Sequence, residues 1–143
     1  MSTLFLLASV GGHRIVFHAA SIQSVVGLEK LTPAPGTPPH IAGLAALRSR
    51  PMTVIDCALS LGLEEGCCTA GKAVVVEQGA YLYALSVDRV DDVISMEEEI
   101  EPVPSELEPG WQRVARGMIR HEGKMVLLAD PAGFIDGPQK EAA

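Results

Sequence analysis

The sequence predicts a mainly β fold, built as one or two small barrels with a few short helices, on three observations. Valine, isoleucine and threonine cluster in about ten short runs separated by turn residues. The chain matches itself when shifted by about half its length. Its 143 residues, 48% apolar but only 4% aromatic, suffice for one domain whose core is mostly Val, Leu, Ile and Ala.

Taken in order, LFLLASV and RIVFHA flank GGH, a hairpin signal, and SVVGLE follows as a further strand. LTPAPGTPPH is too rich in proline for a central strand or a helix interior and reads as a loop. IAGLAALR and PMTVID form the next strand pair, CALSLGL a short helix and EEGCCTAG a surface loop. KAVVVEQGAYLYALSV holds two strands around Gln78-Gly79, and VDDVISM one more. EEEIEPVPSELEPG is acidic and proline-broken, so it reads as a solvated connection. VARGMIRH and KMVLLAD pair around Glu122-Gly123, PAGFID is a last helical turn, and residues 139–143 are a flexible tail.

The repeat has three offsets. A shift of 68 places Ile22, Val25, Val26 and Leu28 on Val90, Val93, Ile94 and Met96. A shift of 69 places Pro33 and Pro35 on Pro102 and Pro104, and a shift of 74 places Gly43 on Gly117 and Asp56 on Asp130. Each half is too small a sheet to stand alone, so the halves share an apolar seam. Asp130 precedes a proline and Asp56 precedes CALSLGL, which reads both aspartates as structural caps of short helices.

A net charge of −7 argues against nucleic acid as the main ligand. Three cysteines without a CxxC point to reduced thiols, and the apolar N-terminal run lacks the preceding positive charge of a signal peptide. No stretch approaches the ~18 apolar residues of a membrane span, and a cytoplasmic protein is expected. His13, His18, His40 and His121 show no metal-site spacing. His13 and His121 lie beside hairpin glycines, and His18, alternating with Phe17, is placed on the outer face. Adjacent Cys67 and Cys68 read as an exposed loop pair. Cys57 has no base near it in sequence, and no nucleophile or phosphate motif occurs, so neither a catalyst nor a cofactor is expected.

A binding module remains. In LRSRPM the turn is expected from Arg48 to Pro51, with Arg48 and Arg50 on one side at period two. Arginine presents a fixed fork to carboxylates and is frequent among interface hot spots, whereas a solubilising turn is the plainer reading. Arg120 stands three positions after its glycine and Arg48 five after, so the arginines are not part of the repeated framework.

The ordered segments FLLASVGGHRIVFHAASIQSVVG, TPPHIAGLAALRSRPMTVIDCALSLGL, ALSVDRVDDVISM and VARGMIRHEGKMVLLADPAGFI resemble the CheW family of chemotaxis coupling proteins. Gly43, Leu47, Arg48 and Asp56 match the family's glycine, Asn-Leu-Arg-Gly and aspartate-ended strand. The resemblance implies two five-stranded SH3-like barrels, packed as a pseudo-repeat in a single domain over residues 1–138. The barrels would be roughly the two halves of the chain, with strand exchange between them left open.

It also implies a non-catalytic adaptor between a chemoreceptor's cytoplasmic tip and a histidine kinase of the CheA type, contacted through its regulatory domain. Neither nucleic acid nor direct membrane insertion is implied. A regulator that binds the kinase without coupling a receptor is the alternative. Arg48, Ser49 and Arg50 are the implied partner contacts, with Ile22, Ser24, Val25, Leu44 and Val87 as groove or seam residues. Ala46, Ser49 and Ser24 depart from the family's Asn, Gly and Glu at those places.

Overall fold

The computed structural model describes residues 2–28, 31–33, 35–63, 72–97, 100–104 and 106–137. Cys67, Cys68 and the tail lie outside these residues. The first five strands are β1 (Ser2–Val10), β2 (His13–His18), β3 (Ser24–Gly27), β4 (Ile41–Leu47) and β5 (Arg50–Asp56). The second five are β6 (Lys72–Gln78), β7 (Tyr81–Ser86), β8 (Arg89–Glu97), β9 (Ala115–His121) and β10 (Lys124–Ala129). The short helices are α1 (Cys57–Ser60), α2 (Pro109–Val114) and α3 (Pro131–Asp136).

The strands form two five-stranded sheets, ordered β8-β1-β2-β10-β9 and β3-β6-β7-β5-β4. The sequence offsets carry β2 onto β7, β3 into β8, β4 onto β9 and β5 onto β10, which makes the two orders identical. Each sheet therefore takes its first hairpin from one repeat and its last three strands from the other. The repeats meet at the two parallel pairings, β2 with β10 and β5 with β7. The other pairings are antiparallel.

Neither sheet closes its ladder, but each curls around its own core. All five strands of the first sheet feed one cluster: Phe5, Leu7, Val16, Ile119, Val126 and Leu128, with Ile94 and Met96 against it. The second sheet encloses Met52, Val54, Ala73, Val75, Leu82 and Ala84, flanked by Val26, Ala45 and Leu47 from its edges. Because side chains alternate faces along a strand, the residues between these point the other way. Leu6, Ala8, Ile15, Phe17, Ile55, Val74, Leu85 and Leu127 form the third and largest cluster, the seam between the sheets. Strands buried on both faces account for continuous runs such as AVVV and FLLA.

The repeated glycines serve one purpose. The segment before each edge strand crosses β4 or β9 and joins it at one bridge of two reciprocal backbone hydrogen bonds, Thr32 with Leu44 and Glu101 with Met118. A Cβ on Gly43, whose φ is +153°, would overlap the Thr32 carbonyl, and one on Gly117 would overlap the Ile100 side chain. The repeated aspartates cap helices: Asp56 accepts from the Leu59 N–H at 3.1 Å, and Asp130 from the Ala132 N–H at 3.0 Å.

The acidic connection holds more structure than its composition predicted. Pro109 opens α2, where a missing N–H does no harm, and Trp111 and Val114 on that helix are buried. Arg113 ties the helices together. Its Nε donates to the Gly133 carbonyl at 2.9 Å and its terminal nitrogen to the Ser60 carbonyl, while Ser60 Oγ donates to the Phe134 carbonyl at 2.7 Å. Burial lowers the Arg113 pKa, and Asp136 acts in the opposite sense.

Candidate functional site

Leu47 pairs with Arg50, so Arg48 and Ser49 alone make the β4–β5 turn. Both have positive φ, 49° and 72°, as in the type I′ turn whose twist matches two-residue hairpins. This corrects the longer turn expected from sequence. Arg48 belongs to the turn and Arg50 opens β5, so strand alternation does not relate their side chains. Arg48, Ser49 and Arg50 are all exposed, and among the described residues neither arginine forms an ion pair. A guanidinium without an internal partner is available to a carboxylate from outside.

Two features surround this tip. Parallel pairing of β5 with β7 begins at Met52 and Leu82, which sets Tyr81 beside Pro51. Tyr81 is 70% exposed. On the other side, edge strands β3 and β4 stand apart and leave an apolar groove of about 300 Å³, lined by Val26, Leu28, Ala45, Leu47 and Met52 among others. The open end of this barrel thus presents two arginines, a tyrosine and an apolar slot.

The remaining predicted residues do not join it in one cluster. Val25 and Leu44, 39% and 43% exposed, stand on the outer faces of β3 and β4. Ser24 shares the inward side of β3 with Val26, and its Oγ is buried without a hydrogen-bond partner. Ile22 lines a separate cleft of about 340 Å³ between β6 and the start of α3, with Val76, Asp130 and Pro131. Val87 is 0% exposed and belongs to the seam, so it supports the barrels' packing and touches no partner directly.

His18 also departs from expectation. It pairs with Phe5 across β1 and β2, and the two rings lie 4.9 Å apart, so it packs at the edge of the barrel core, not on the outer face. His40 is buried, with Nε2 3.1 Å from the Ile135 carbonyl. Among the described residues no group of three or more His, Cys, Asp or Glu is placed to hold a metal ion, and no helix is long and apolar enough to cross a membrane.

Sequence reasoning passed over Tyr81, although the offset of 68 marks it as the counterpart of the hairpin residue His13. It also passed over Leu4 and Val93, both more than half exposed. Val93 is the counterpart of Val25, so the repeat itself was the available signal.

The model of the CheW-like domain family matches residues 4–139. The chain is 25% identical over 136 residues to a chemotaxis protein CheW of Rhizobium meliloti, covering 94% of this chain and 88% of the relative. A chemotaxis protein CheW of Bacillus subtilis is 24% identical over 136 residues, covering 94% of this chain and 87% of the relative. The crystal structure of scaffolding protein TtCheW from Thermoanaerobacter tengcongensis superimposes with a TM-score of 0.80 at 25% identity, covering 91% of this chain and 90% of that one.

Proposed function

Since the chain belongs to the CheW-like domain family, we propose that it is a non-catalytic adaptor of chemotaxis signalling, joining the cytoplasmic tip of a chemoreceptor to a histidine kinase of the CheA type. The observation that carries this reading is the match across nearly the whole chain to a scaffolding protein of the same architecture. Such an adaptor works in the cytoplasm, reaching receptor arrays at the membrane only through its partners. Residues 1–138 act as one unit and residues 139–143 as a tail.

The hairpin tip fits the partner-contact role. Arg48 and Arg50, with Ser49 setting their turn, meet carboxylates of the kinase's regulatory domain. Ile22, Val25 and Leu44 supply half-buried or exposed apolar surface, and Ser24 sits behind Val25 on β3. Tyr and Arg at an open barrel end are the residue types that dominate interface energetics.

Titration calorimetry tests the reading. The chain is expected to bind the kinase regulatory domain and a receptor tip fragment, each without displacing the other. Binding to neither overturns the proposal, and binding to only one removes the coupling role.

A further inference from the structure

The ladders divide by repeat. Within a repeat, β1 pairs with β2, β4 with β5, β6 with β7 and β9 with β10, each a hairpin closed by a two-residue turn. The other described ladders join the repeats: β1 with β8, β2 with β10, β3 with β6 and β5 with β7. Polar ties cross between the repeats as well. His40 and Ser60 of the first repeat bond the Ile135 and Phe134 carbonyls of the second, and the Gly11 N–H donates to the Asp88 carboxylate at 2.7 Å. All three apolar clusters draw on both repeats. A repeat by itself therefore holds hairpins and no sheet.

The repeats are covalently joined between Leu63 and Lys72. Each described end of that connection is held within its own repeat. Leu63 packs where a Cβ on Gly11 would meet it, and the Lys72 carbonyl accepts the Val87 N–H at 3.3 Å. Hairpins are local and form early, whereas the ladders between repeats close later. At that later step a repeat distinguishes its own complement from a neighbour's only by effective concentration, about millimolar for a short flexible connection.

We propose that the chain exchanges repeats with a second copy, so that the first repeat of each completes the second repeat of the other. The product is a dimer of two bodies linked by the two connections. Each body has both sheets, all three clusters and one Arg48 hairpin. The closed monomer prevails at micromolar concentration, and the exchanged dimer competes as the chain nears its own effective concentration. Once formed, the dimer reverts slowly, because a body must open its four joining ladders together. The exchange is independent of the adaptor role.

Refolding of the full chain from guanidinium chloride tests this. At about 1 mM a dimer fraction is expected in size-exclusion chromatography, and at about 1 µM monomer alone. The dimer fraction survives dilution for hours. Paired variants then show that repeats have exchanged. Val54→Asp puts a charge into the core of one sheet from the first repeat, and Leu128→Asp does so in the other sheet from the second. Neither variant is expected to fold alone. Refolded together at the higher concentration, they form a dimer with one sound body, which restores dispersed amide signals. Absence of dimer at the higher concentration, a dimer lost as soon as it is diluted, or a mixture as unfolded as its two components would overturn the inference.

Discussion

Ser49 carries a Cβ through a backbone conformation, φ 72°, that its counterpart Gly123 adopts at 77° without one. Left-handed backbone costs an L side chain roughly 1 kcal/mol. Ser49→Gly is therefore expected to stabilise the chain by about 0.5–1 kcal/mol in urea unfolding, the gain reduced by glycine's greater freedom when unfolded. Arg48, exposed and without an ion pair among the described residues, contributes little to that stability. Arg48→Ala should leave thermal unfolding unchanged while weakening kinase-domain binding about tenfold or more; a large loss of stability would make Arg48 structural. The sequence made the arginines legible as a binding feature, because charge inside an apolar run needs a reason. It did not reveal the turn's length, since neither Arg48 nor Ser49 advertises positive φ as Asn-Gly does.

Among the elements, the strands were readable and the second helix was not. Alternating or continuous apolar runs bounded by glycine and proline located each strand to within a few residues. The segment around α2 is dominated by Glu and Pro, and only Trp111 and Val114, docking against the seam, commit it to a helix. Arg113 holds that docking through carbonyls of α1 and α3. Arg113→Ala takes its donors from the Ser60 carbonyl and leaves the Gly133 carbonyl only the Gly137 N–H, and should lower stability by about 1–3 kcal/mol, read as a shift of the denaturant midpoint. The repeated glycines differ in severity. Gly43→Ala overlaps backbone at a positive φ, whereas Gly117→Ala overlaps the Ile100 side chain and only crowds the Glu101 carbonyl, so the first should destabilise more, by about 2 kcal/mol or more. Loss of either aspartate cap should cost about 1 kcal/mol in the same assay.

For the whole molecule, the internal match foresaw two similar barrels. It could not foresee which strands each barrel takes, because offset alone does not say with whom a strand pairs. Each barrel borrows its first hairpin from the other repeat, so neither half of the chain holds a complete sheet. Residues 1–66 and 67–143, expressed apart, should each lack the dispersed amide spectrum of a folded protein and regain it when mixed; an independently folded half would contradict the strand order. The crossing of hairpins has a consequence for ancestry. A chain of one repeat could build this body only as a symmetric pair, with two identical hairpin tips. Joining the copies end to end lets mutation treat them separately, and here one tip reads Arg48-Ser49 and the other Glu122-Gly123. Duplication followed by fusion thus turns a body with interchangeable ends into one with a front and a back.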